Sequence, residues 1–170
     1  MTGSEKRLKQ LEEKLKDEKE GVIVNAITSL RVQKPCPGAI RLFAELFNST
    51  SNHAVKRSIE DFMNDLKDLT LRDEVIAELR KEYRAETIKM IVSSCWQSGL
   101  DYSPYASDFA LIFSTCDLET AIECFTVIEG CSGLISRKTR DHMIIIVKEH
   151  EENRTKEKSA LMMELVRVLS

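Results

Sequence analysis

The chain is poor in the residues that make turns, with 6 glycines and 3 prolines in 170 positions. An all-β fold needs many tight turns, so this scarcity argues against that class. No charge of either sign predominates: 25 basic residues stand against 28 acidic ones, for a net charge of −3. Such a balance supplies no electrostatic attraction for nucleic acid or an anionic membrane. Long apolar runs are missing too. The longest, Met143 to Val147, falls far short of the ~20 residues a membrane span needs. The first twenty residues lack the apolar centre of a secretory signal. The five cysteines, Cys36, Cys95, Cys116, Cys124 and Cys131, are odd in number and contain no CxxC pair. They are expected to be small buried hydrophobes in a reducing compartment. A cytoplasmic location is therefore expected, and the sequons Asn48-Ser49-Thr50 and Asn153-Arg154-Thr155 read as chance matches.

What is present is hydrophobic spacing. In Gly21 to Leu30 the residues Ile23, Ala26, Ile27 and Leu30 follow an i, i+3, i+4, i+7 pattern, one face of an α-helix. The pattern returns 32 residues on as Val55, Ser58, Ile59 and Phe62. It returns again at intervals of 33 as Ile88, Ile91, Val92, Cys95 and as Ala121, Cys124, Phe125, Ile128. A fixed period of this size marks an array of helical repeats. Between these stripes runs a second set. Leu8, Leu11 and Leu15 stand 32 residues before Ile40, Phe43 and Phe47, and the Ala44 and Phe47 rows continue as Ile76 and Leu79, then Phe109 and Ile112. One row breaks where Phe43 and Val75 are followed by Asp108.

The spacing predicts ten helices in five antiparallel pairs within one domain, 1–170. The approximate repeats are 4–33, 37–67, 70–98, 103–130 and 135–169. Thr2 with Glu5 forms a candidate capping box, Asn52 or Ser51 a cap near 52, Thr70 with Asp73 a start at 70, and Asp117 a cap for the helix ending near Gly130. Pro35-Cys36-Pro37 ends the second helix, Gly99 takes the place of a left-handed C-cap, and Ser103-Pro104 opens a further helix. In the last helix Met162, Leu165, Val166 and Leu169 restore the stripe 41 residues after the Ala121 set, as if two extra turns had been inserted. Its apolar surface is wider than one stripe, which leaves self-association as an option beside burial within the chain. A frayed N-terminal extension and an irregular helical bundle stay open as alternatives.

The succession GVIVNAITSL, a proline break, AIRLFAELF, a five-residue polar turn and HAVKRSIEDFM resembles a HEAT-type (armadillo-like) repeat of the short variety common in bacterial proteins. The tetratricopeptide and ankyrin signatures are absent. The resemblance implies an all-α fold, an α-α superhelix or solenoid. It also implies that the second helix of each pair lines a concave face where partners sit.

Residues opposite each apolar stripe follow from the 100° helical step. They form the rows Asn25, Arg57, Met90, Glu123; Thr28, Glu60, Ser93, Thr126; and Val32, Asn64, Gln97, Gly130, with Lys56 and Lys89 beside the first. The face is polar and mixed in sign. Glu60 and Glu123 interrupt the basic residues, whereas phosphate tracking calls for an uninterrupted basic strip. A protein or peptide partner is thus the expectation, with a nucleic-acid-binding array like the DNA-glycosylase branch as the alternative. Trp96 and the pair Tyr102 and Tyr105 are expected to pack within the fold.

Chemistry has little to stand on. His53, His142 and His150 form no ligand spacing, no HExxH or G-x-S-x-G occurs, and the glycines build no phosphate loop. The acids Glu12-Glu13 and Glu149-Glu151-Glu152 lie on charged helix faces. No metal, cofactor or catalytic residue is expected, although a site assembled from several repeats is not legible in sequence.

Overall fold

A computed structural model describes residues 2–150 and 155–170 of the chain. Glu151, Glu152 and the sequon asparagine Asn153 lie outside the described residues. Among the described residues the fold is all-α, with ten α-helices and no strand: α1 (Gly3–Leu15), α2 (Glu20–Leu30), α3 (Ala39–Ser49), α4 (His53–Asn64), α5 (Arg72–Leu79), α6 (Ala85–Gln97), α7 (Ala106–Thr115), α8 (Leu118–Cys131), α9 (Arg137–Glu149) and α10 (Lys156–Leu169). They divide into two compact units, residues 1–98 and 99–170. The division falls at a boundary between expected repeats.

In the first unit, α1 begins with the expected capping box. The Glu5 N–H donates to the Thr2 hydroxyl and the Thr2 N–H to the Glu5 carboxylate at 2.6 Å. Leu11 and Leu15 are buried. After α2, the proline break passes into α3 through Gly38, which adopts φ +88°. Glycine is required there twice over. The backbone is left-handed, and a Cβ would stand 2.8 Å from a methyl of Leu8 on α1. The Gly38 N–H donates to both carboxylate oxygens of Glu74 on α5 at 3.0 Å, placing negative charge at the N-terminus of α3. One residue thus ties α1, α3 and α5 together.

Asn52 caps α4, accepting from the Val55 N–H at 3.0 Å, and its amide donates to Glu20 on α2 at 2.7 Å. The start of α5 differs from the expectation. Asp68, not Thr70, is the capping acceptor, because the Thr70 N–H and hydroxyl both donate to its carboxylate at 2.8 and 2.6 Å. That local turn sets a short 3-10 segment, Leu69–Leu71, ahead of α5. At the other end the buried Glu78 accepts from Lys81 at 2.8 Å and from the Tyr83 hydroxyl at 2.6 Å, and α5 stops at Leu79. Burial, and then the Glu78 hydrogen bond, push ionisation of Tyr83 far above its ordinary range. Asn48 at the end of α3 accepts from the Arg84 N–H and the Thr87 hydroxyl, both at 2.9 Å, and so fixes the start of α6.

The packing in this unit forms two layers. α1 contacts α3 and α3 contacts α5 in one layer, while α2 contacts α4 and α4 contacts α6 in the other. Ile27, Ile59 and Val92, equivalent positions of the stripe, are all fully buried. Phe43 of α3 meets Phe62 of α4 edge to face at 4.8 Å, closing the space between layers.

In the second unit, α7 packs against α8 and α9, and α10 against α8 and α9. Gly99 takes φ +71°, as expected of a residue that ends a helix. Ser103 does not cap with its hydroxyl. Its N–H donates to Asp101 at 2.8 Å, and a 3-10 turn, Ser103–Tyr105, carries Pro104 into α7. Tyr102 is buried edge-on against Phe109, with ring centroids 6.0 Å apart. Asp117 caps α8 through the Thr120 N–H at 2.8 Å. Ala121, Cys124 and Ile128 are buried, but Phe125 is only half-buried and Val127 is buried as well. On α10, Met162, Leu165 and Leu169 are buried and Met163 is exposed, so most of its wide apolar surface is used within the unit.

Gly38→Ala is expected to lower stability by about 1–2 kcal/mol, from left-handed backbone strain and displacement of Leu8. Urea unfolding checks this; an unchanged midpoint would refute the triple junction.

Candidate functional site

Helices α2, α4 and α6 bring the expected rows together within the first unit. Asn25 and Thr28 on α2, Arg57 and Glu60 on α4 and Gln97 on α6 are exposed, and Lys56, Asn64, Lys89 and Ser93 are half-buried. Met90 is not on this surface. It is buried at 7 % exposure, because α6 is covered by α3, α4 and α5 together and its apolar arc is broader than one stripe. Glu123 and Thr126 lie on α8 in the other unit, both half-buried. Ile122, beside Glu123 and one turn before Thr126, is 47 % exposed, so the outer side of α8 is less polar than its row positions imply.

An ion pair joins α4 to α6. Lys56 donates to Glu86 at 2.7 Å and stands 4.9 Å above the Phe47 ring. The Lys56 hydrogen bond is the main reason the Glu86 carboxyl is held below its ordinary range. Glu60 goes the other way. Desolvation by its neighbours raises it, with Asp61 and Glu86 adding like charge against the smaller pull of Lys56 and Arg57. Arg31 and Asp65, at the far ends of α2 and α4, pair directly. Gln97 donates to the Ser93 hydroxyl at 2.8 Å, and Thr28 to the Val24 carbonyl at 2.8 Å.

Trp96 departs from the expectation that it packs inside. It is 44 % exposed on α6, three residues after Ser93 and next to Gln97. The positions Lys89, Ser93, Trp96 and Gln97 are spaced as one helical face. That spacing was present in the sequence; the general preference of tryptophan for burial pointed away from it.

Next to the Arg31–Asp65 pair, a cavity of about 340 Å³ opens between the segments that follow α2 and α4. Leu30, Ile40, Phe62 and Leu71 form its apolar wall. Its polar groups serve the fold: Lys67 donates to the Ser98 carbonyl at 2.6 Å and Asp68 holds Thr70. Its cysteine, Cys36, is pushed up by burial and so is a poor nucleophile. Among the described residues no group of three or more His, Cys, Asp or Glu is placed to hold a metal ion. His150 is engaged with the Ile146 carbonyl at 2.8 Å, and His53 and His142 are exposed. No helix among the described residues is long and apolar enough to cross a membrane.

Compared with family models, curated proteins and solved structures, the chain finds no match in any of the three.

The two carboxyls give a direct check. Glu86, held low, favours the folded state above its unfolded titration range, and that contribution is lost as pH falls through its folded value. Glu60, raised, opposes folding once ionised, so its effect grows as pH rises from its unfolded to its folded value. A carbon-detected titration of side-chain carboxyls is expected to find Glu60 titrating above Glu86. The reverse order would overturn this electrostatic picture.

Proposed function

We propose that the chain is a non-catalytic protein- or peptide-binding module, a HEAT-like helical array whose partner sits on the outer faces of α2, α4 and α6. The observation that carries the reading is Trp96, a large exposed aromatic ring on the helical face that also carries Lys89, Ser93 and Gln97. Partly exposed tryptophans ringed by polar groups are the usual anchors of protein interfaces. Asn25, Thr28, Arg57 and Glu60 extend the same surface across two more helices and offer both donors and acceptors.

The mixed sign favours a polypeptide over a nucleic acid. Lys56 is committed to Glu86, and Arg57 shares α4 with Glu60 and Asp61, so little basic surface is left to follow phosphates. The layering of α2, α4 and α6 supports the array, since stacked pairs present equivalent faces side by side. A cytoplasmic setting fits five cysteines that form no disulfide.

Trp96 is the single tryptophan of the chain, so its emission reports the surface directly. A photo-crosslinking residue at Gln97 would identify a partner in a lysate of the source cells, and purified partner would then be titrated. Binding is expected to shift Trp96 emission to the blue. Trp96→Ala is expected to weaken affinity by about 2 kcal/mol, roughly thirtyfold in Kd, with little change in unfolding midpoint. The charge-reversed pair R57E with E60K is expected to weaken it as well. Unchanged emission, with affinity indifferent to both variants, would reject the reading.

A further inference from the structure

The cavity beside the Arg31–Asp65 pair lies where two connections of the first unit face each other. Residues 31–38 join α2 to α3, and residues 65–71 join α4 to α5. Pro35 and Pro37 donate no backbone hydrogen bond and keep the residues before them extended, so the first connection cannot run on as helix. Core side chains reach the edge of the space. Phe62 is 8 % exposed, whereas Cys95 and Ile128, at the equivalent stripe positions, are 1 % and 0 %. At about 340 Å³ the cavity has the size of a small-molecule site, with room for roughly ten groups the size of a water.

Three cations, Arg31, Lys34 and Lys67, and two carboxylates, Asp65 and Asp68, line it. Arg31 and Asp65 cancel in a direct pair. Asp68 accepts from the Thr70 N–H at 2.8 Å and hydroxyl at 2.6 Å, and Lys67 donates to the Ser98 carbonyl at 2.6 Å. Lys34 is what remains. Its ammonium has no hydrogen bond or ion pair among the described residues, yet its backbone is held. Arg7 of α1 donates to the Lys34 carbonyl at 2.9 Å and to the Gln33 side chain at 3.3 Å. A tethered backbone with an unpaired ammonium supplies a positive charge at the cavity for which the chain provides no partner. Val32 and Leu69, each next in sequence to a lining residue, are strongly exposed, so both connections carry apolar side chains beside the charged ones.

We propose that this cavity binds a small amphipathic monocarboxylate, with its apolar chain against Leu30, Ile40, Phe62 and Leu71 and its carboxylate on Lys34. The wall and the charge decide the class together. A neutral apolar molecule leaves the ammonium without a counter-charge. An alkylammonium meets like charge in Lys34, while both carboxylates are already engaged. A sugar or nucleotide sets hydroxyls against an apolar wall that cannot hydrogen-bond them. Trp96 is not among the lining residues, so this site and the binding face of α2, α4 and α6 are tested separately.

Octanoate is titrated into the protein by calorimetry, with octanol and octylammonium alongside. Octanoate is expected to bind one to one with a Kd below ~1 mM. It is expected to bind at least ~10-fold more tightly than either analogue, the gain of a charge-assisted contact. From butanoate to octanoate, affinity is expected to rise about fourfold per methylene. Amide shifts of the wild-type chain are expected to change over residues 30–40 and 62–71, with the Trp96 indole signal unmoved. Lys34→Met is expected to weaken octanoate at least ~10-fold and leave octanol unchanged, and Lys34→Arg to keep octanoate binding. Ala39→Met, which adds bulk to the lining, is expected to remove binding of both. No saturable octanoate binding, equal affinity for the three head groups, or shifts scattered away from the two connections would each overturn the proposal. The wild-type titrations and shifts decide it even where Ala39→Met fails to fold.

Discussion

Each helix of this chain carries an apolar stripe that it cannot hide from water by itself, and the structure follows from that constraint. In the first unit the stripe of α4, with Val55 and Ile59 fully buried, is covered by α2 on one side and α6 on the other. Burial of each such side chain contributes about 1.5–3 kcal/mol relative to exposure. A consecutive pair of helices left alone would expose part of this stripe, so neighbouring pairs cohere. Small residues at the stripe positions, Ala26 and Ser58 in particular, leave room for the helices to approach.

Apolar burial is non-directional and sets no register between pairs. Polar contacts supply it. The Gly38 N–H against Glu74, Asn52 against Glu20, Asn48 against Arg84 and Thr87, and Lys56 against Glu86 each join residues 30 to 39 positions apart. That separation is about one repeat, so each contact ties one pair to the next. In the second unit Lys158 has a related role over a longer stretch, reaching from α10 to the carbonyls that end α7.

The outward surface is what remains after these demands are met. Between α4 and α6 Lys56 is drawn into an ion pair with Glu86, and the exposed remainder is polar and of both signs. Trp96 stands apart, since an aromatic ring of its size loses a large favourable burial when left in water. Its position beside Ser93 and Gln97 makes it the natural centre of the proposed binding face.

The all-α class, the ten helices and most of their ends were legible in the sequence, because the 3.6-residue spacing, the caps at Thr2, Asn52 and Asp117 and the glycine at 99 are local signals. The cap ahead of α5 was placed two residues late, at Thr70 instead of Asp68, since the two compete for the same turn and only geometry shows which accepts. The candidate face was legible as far as the helical step holds: it placed Asn25, Arg57, Glu60 and Gln97 outward but also Met90, which a third covering helix buries, and it left Trp96 inside. By itself the sequence determined which side of each helix must be apolar, because that depends only on spacing along the chain. The tertiary structure decided how wide each buried arc is, where the chain divides into units and which backbone carbonyls the buried Lys158 reaches, because these depend on how many neighbours surround each helix.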